Sequence, residues 1–133
     1  MFQKIESTAI ILQEDVIEQE MAQLSEIKKD NPCKFYIFGL MDCSIQNLSQ
    51  RAWNLMNRGM QGVALSCDKL HKLQISLTSK KMMQLFRIME DRDAYLLISL
   101  GQSDDYIREL QNVVMECNRL KIVLWDTETS FNS

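Results

Sequence analysis

Two short stretches combine residue types that could hold a phosphate. "GLMDCS", residues 39–44, follows the apolar run "FYIF", and "SLGQSDD", residues 99–105, follows "AYLLI". Each leads into a helical pattern. Glycine lets backbone N–H groups converge on an anion, hydroxyls donate hydrogen bonds, and a helix N-terminus adds positive potential. Gly39 and Gly101 supply the backbone freedom, and Ser44, Ser99 and Ser103 supply donors. Met41 crowds the first loop, because only glycine takes a positive φ cheaply. Asp42 and Asp104 oppose an anion. Two carboxylates about 4–6 Å from a dianionic phosphate would repel it by several kcal/mol at an effective dielectric near 20. Neither loop contains a cation to offset them. Lys69 and Lys72, in "CDKLHK", could reach in from the helix after the second strand.

The elements that must position these loops alternate. "KFYIF", "QGVAL", "AYLLIS" and "KIVLW" read as strands. "AYLLIS" is apolar without alternation, as expected of a strand covered on both faces. Between them lie helical patterns. "IQNLSQRAWNLMNRG" places Ile45, Leu48, Ala52, Leu55 and Met56 on one face and ends at Gly59. "CDKLHKLQISL" and "SKKMMQLFRIME" follow. "SDDYIRELQNVVMECNR" carries a stripe of Ile107, Leu110, Val114 and Cys117, with Asp104 and Asp105 suited to its first turn. Before Pro32, residues 5–29 recur at helical spacing through Ile5, Ala9, Leu12, Val16, Met21, Leu24 and Ile27. Strands alternating with helices predict an α/β fold with a parallel sheet, right-handed crossovers and helices on both faces. Ligands of such sheets bind at the carboxyl ends of the strands, near a topological switch point.

Bulk properties exclude several classes. A chain of 133 residues is one domain by size. Its 15 basic and 18 acidic side chains leave a net charge of -3, unlike a surface built to displace counterions from nucleic acid. No run approaches about 18 apolar residues, so nothing is expected to span a membrane. The N-terminus lacks the layout of a signal peptide. Cysteines 33, 43, 67 and 117 form no CxxC pair, and His71 is the single histidine. Reduced thiols in a cytoplasmic protein are the expectation, with no metal site and no cofactor.

The segments "FYIFGLMDCS", "RAWNLMNRGMQGVAL" and "DAYLLISLGQSDDYIRELQNVVMECNRLKIVLWDT" resemble the sugar isomerase (SIS) domain over about residues 34–127. The resemblance implies a three-layer sandwich of flavodoxin/Rossmann-like topology, with a mainly parallel sheet of four to five strands. It also implies a GxGxS loop after the first strand and an SxSGxT loop after the third, which together hold the phosphate of a phosphosugar. On that pattern Gly39 matches the first glycine, Met41 replaces the second, and Cys43 replaces the serine, with Ser44 beside it. Ser99 is kept, Gly101 and Gln102 replace the second serine and the glycine, and Asp104 replaces the threonine. The stretch "TAIILQEDVIEQEMAQLSEIKKDNPCKFYIFG" is similar to the helical segment that joins the DNA-binding head to the SIS domain in RpiR-type transcriptional regulators. The implied organisation is joining helices over residues 1–31 and an SIS-like domain over 32–133, forming one structural unit.

Catalysis of aldose–ketose isomerisation needs a general base. His71 reads as a surface residue of a helix, and Glu109 and Glu116 as solvated helix positions. Cys43 has no base beside it. The expected function is therefore non-catalytic: a phosphosugar-sensing domain of an RpiR-type regulator without its DNA-binding head, with a weakened site. Its expected ligand residues are Gly39, Cys43, Ser44, Ser99, Gly101, Ser103 and Asp104. A homodimer is expected, with no nucleic acid bound by this chain alone. The competing readings are a vestigial SIS domain kept only for dimerisation and, behind it, a phosphosugar isomerase.

Overall fold

The computed structural model describes residues 8–14, 35–101 and 104–125. Five parallel strands form one sheet: β1 (Thr8–Gln13), β2 (Phe35–Leu40), β3 (Gly62–Ser66), β4 (Tyr95–Ser99) and β5 (Lys121–Leu124). Among the described residues four helices lie between the strands: α1 (Leu48–Asn57) after β2, α2 (Cys67–Lys72) and α3 (Lys80–Asp91) after β3, and α4 (Asp105–Glu116) after β4. The α/β class and the parallel sheet are as the sequence predicts, with a strand count at the upper end of the expected range. The order is β1-β2-β3-β4-β5. It runs straight across the sheet, without the reversal that opens a switch-point crevice in doubly wound sheets.

Period-two alternation divides the strands between two cores. Ile37, Val63, Leu65, Leu96, Ile98 and Ile122 face the four helices and join their buried stripes in the main core. Phe38, Ala64, Leu97 and Val123 face the other way, with Ile11, Tyr36, Leu40, Tyr95 and Trp125 packed around them. Among the described residues this second core draws on no helix. A third layer over it falls outside the described residues.

The N-terminal expectation needs correction. Thr8–Gln13 is a strand, paired in register with β2 from Thr8↔Phe35 to Gln13↔Leu40. "AIIL" is a short apolar run rich in β-branched residues, and such a run fits helix and strand periods alike. A parallel edge on β2, offering six residues of ladder, decides it. The remaining joining-helix positions lie outside the described residues. Two helix stripes also differ in detail. Ile45 precedes α1 and is exposed, and α1 buries Leu48, Ala52, Leu55 and Met56. The buried side of α4 is Tyr106, Leu110 and Val113, which leaves Ile107 on the surface.

The β2–β3–β4 centre is held by close backbone approach. The Gln61 side chain extends the ladder by accepting the Ile37 N–H at 2.6 Å, while the Gln61 N–H donates to the Ile37 carbonyl at 2.9 Å. One residue later, a Cβ on Gly62 would lie 1.8 Å from the Tyr95 carbonyl oxygen. Only glycine fits there. Gly62→Ala is expected to destabilise the fold by roughly 2–4 kcal/mol, because β3 and β4 must part to admit the methyl group. Urea denaturation measures this, and an unchanged midpoint would show that the strands shift at little cost.

Candidate functional site

A cleft of about 600 Å³ opens at the carboxyl ends of β1, β2 and β3. That volume suits a small molecule. Gln13 and Glu14 come from the end of β1, residues 40–43 and Ile45 from β2 and its following loop, Ser66 from the end of β3, and Lys69, Leu70, Lys72 and Leu73 from α2. The position follows from the fold: every parallel strand delivers its carboxyl end and the next loop to the same edge of the sheet.

Arg51 organises one side of this cleft. It stands in the first turns of α1 and turns its guanidinium back towards the preceding loop. Nε and Nη2 donate to the two carboxylate oxygens of Glu14 at 2.7 and 2.5 Å. Nη1 donates to the carbonyls of Ile45 and Gln46 at 2.8 and 3.0 Å, and Nη2 also donates to the Asp42 carbonyl at 2.8 Å. All five N–H donors of the side chain are thereby used. Hydrogen bonding to Glu14 raises the guanidinium pKa further above its ordinary value. Sequence reading missed Arg51. Its signal was a lone arginine in the first turns of a helix, within reach of the carbonyls of the preceding loop.

The loop itself alternates inward and outward. Met41 and Cys43 are buried in the main core, while Asp42 and Ser44 are exposed. Asp42 Oδ1 accepts the Ser44 N–H at 2.9 Å and its hydroxyl at 2.5 Å. These two bonds, with Arg51 and Lys69 nearby, hold the Asp42 carboxyl below its usual pKa. Asp42 therefore closes its own turn instead of capping α1. The N-cap position of α1 is Asn47, with φ 65° and no side-chain cap. The Cys43 thiol is pushed up to about 11 by burial, and burial pushes Cys67 up to about 12. Both are protonated at neutral pH, so neither is a nucleophile.

The expected ligand residues do not come together. Gly39 lies inside β2, paired with Leu12 and Val63, because the strand continues to Leu40. Cys43 lines the cleft and Ser44 braces Asp42 at its edge. Ser99 ends β4, buried and in register with Ser66. Gly101 has φ +67°, and a Cβ there would lie 2.1 Å from Asp68 Oδ1, so this loop packs on the start of α2. Asp104 is exposed at the N-cap of α4. Ser103 lies outside the described residues. The two loops follow β2 and β4, with β3 between them, which sets them about 10 Å apart at the sheet. Among the described residues only the first lines the cleft.

Lys69 and Lys72, by contrast, both line it. Neither ammonium forms an ion pair or hydrogen bond among the described residues. The residues that the sequence argues against as general bases lie outside the cleft lining. His71 is exposed, with its ring edge-on to Tyr106 at 6.3 Å. Glu109 is not simply solvated: it accepts from the Ser76 hydroxyl and the Leu77 N–H and pins the turn before α3. Glu116 is exposed, 3.8 Å from Arg87. Among the described residues no group of three or more His, Cys, Asp or Glu is placed to hold a metal ion. No described helix is long and apolar enough to cross a membrane.

Compared with protein-family models, curated proteins and solved structures, the chain matches none. The geometry of the cleft and the chemistry of its lining carry the functional argument.

Two outcomes follow from this site. Arg51→Lys retains the charge but loses the fork, leaving carbonyls and Glu14 short of donors in a partly buried setting. It is expected to cost about 2 kcal/mol in chemical denaturation, close to the cost of Arg51→Ala. Full retention of stability by the lysine variant would show that charge alone matters. The thiols set an alkaline limit. The unfolded chain loses their protons from about pH 9, whereas the folded chain keeps them until about 11 at Cys43 and about 12 at Cys67. Their contribution is fully present below pH 9 and is lost as pH rises through those folded values. The Tm of the wild type is expected to fall over that range more steeply than that of a Cys43→Ala/Cys67→Ala variant.

Proposed function

We propose that the chain is a non-catalytic sensing domain that binds a small phosphorylated metabolite. The SIS resemblance suggests a phosphosugar, and an effector module of a transcriptional regulator as its setting. The observation that carries the reading is the pair of lysines on the cleft wall that form no hydrogen bond or ion pair among the described residues. Lys69 and Lys72 lie three residues apart on α2, a spacing that places both on one side of the helix. Of the two carboxylates of the lining, Glu14 is paired with Arg51, and Asp42 accepts through one oxygen from Ser44. Counting Arg51, three cations stand against two carboxylates, so the cleft favours an anion. The phosphate then rests on α2, not between the two loops that the resemblance pairs.

Turnover is not part of this reading. The cleft thiol, Cys43, is protonated, and His71 is not among the lining residues. A cytoplasmic homodimer suits the module: Met115 on α4 is 78% exposed, and Ile107 and Leu124 also present apolar surface. The second reading, a sheet kept for assembly alone, draws on the separation of the two loops.

A thermal-shift panel of hexose, pentose and amino-sugar phosphates, with inorganic phosphate as control, tests the proposal. A ligand of the folded state at about a hundred times its Kd stabilises by roughly 2.7 kcal/mol. A selective shift is expected, and Lys69→Ala/Lys72→Ala is expected to abolish it while leaving the unliganded Tm in place. Silence across the panel from a folded dimer would favour assembly.

A further inference from the structure

The lining of the cleft narrows the ligand, given the reading above that an anion binds there. Half of the lining is apolar: Leu40, Met41, Cys43, Ile45, Leu70 and Leu73. Met41, Cys43 and Leu70 belong to the main core and need no ligand to cover them. Ile45 and Leu73 are different. They are 54% and 42% exposed, large and aliphatic, and both face the cleft from separate elements, the loop after β2 and the end of α2. Leu73 follows Lys69 by four residues, so an ammonium and an aliphatic side chain are neighbours on one helical surface.

The polar side of the lining is sparse. With Glu14 held by Arg51 and Asp42 Oδ1 by Ser44, the polar side-chain groups left to meet a ligand are those of Gln13, Ser66, Lys69 and Lys72 and the second oxygen of Asp42. A bare hexose phosphate presents hydroxyls on every side, and each must keep water or find a partner when buried. This cleft would leave most of them unpaired, while offering them aliphatic surface they cannot use.

We infer that the ligand is a phosphate monoester with an apolar flank, such as an acylated sugar phosphate. Its phosphate rests on Lys69 and Lys72, and its apolar flank covers Ile45 and Leu73. The cleft thereby discriminates against the unsubstituted sugar phosphate through its apolar rim, not through its cations.

Calorimetric titration of the full chain with inorganic phosphate, glucose 6-phosphate, phenyl phosphate and hexyl phosphate tests this. The two apolar esters are expected to bind about tenfold or more tightly than glucose 6-phosphate, the gain expected from covering a few tens of Å² of apolar surface. Ile45→Ser/Leu73→Ser, at exposed positions, is expected to erase that advantage, leave the affinity for inorganic phosphate unchanged, and retain the Tm. Glucose 6-phosphate binding as tightly as phenyl phosphate, or a rim variant that keeps the preference, would overturn the inference while anion binding stands. No binding of any phosphate, with Lys69→Ala/Lys72→Ala indistinguishable from wild type, would overturn both.

Discussion

The five hydrogen bonds of the Arg51 guanidinium are the constraint on which the cleft depends. They tie the end of β1 to the loop after β2 by joining Glu14 to the carbonyls of Asp42, Ile45 and Gln46. A guanidinium suits this task because its donors form a rigid planar fork, two of which match a carboxylate. β1 is an edge strand whose only described neighbour is β2, so its end gains order from this contact beyond the ladder itself. The same contact sets the electrostatics. By pairing Glu14, it leaves Lys69, Lys72 and the Asp42 carboxylate as the charged side chains of the cleft lining without a salt-bridge partner among the described residues.

The sheet order has an equally direct consequence. Right-handed crossovers that always step in one direction place their helices on one face. The four described helices accordingly share a single core with one side of the strands. The order also spaces the loops. Loops after neighbouring strands can meet over one ligand, but loops after β2 and β4 are kept apart by β3 and the start of α2. Gly101 packing on Asp68 makes that separation concrete. The cleft is therefore assembled by β1, β2, β3 and α2, and it gathers its cations from a helix instead of from glycine-rich turns.

Burial sorts the loop residues by parity. Met41 and Cys43 point into the core and Asp42 and Ser44 away from it. Met41 replaces small-residue freedom with core packing, and Asp42 closes its own turn through one carboxylate oxygen. A residue string suited to anion capture in one topology thus becomes, in this one, a structural corner beside a cleft.

Local patterning was enough to determine the α/β class, the four strands after Pro32 and the helices between them. Each rests on periodicity within a few residues, such as the unbroken apolar run of β4 or the Leu48–Ala52–Leu55 stripe of α1. The sequence also raised Lys69 and Lys72 as cations that could reach the loops, and the fold places both on the cleft wall. Tertiary structure decided the rest. Whether "TAIILQ" became strand or helix depended on a free parallel edge on β2, which is a long-range contact. The strand order, and with it the separation of the two loops, depended on pairings across tens of residues. The partners of Arg51 include Glu14, 37 residues away in the chain. Short-range periodicity records which face of an element is apolar. It carries no record of which elements become neighbours, and a binding site is made of neighbours.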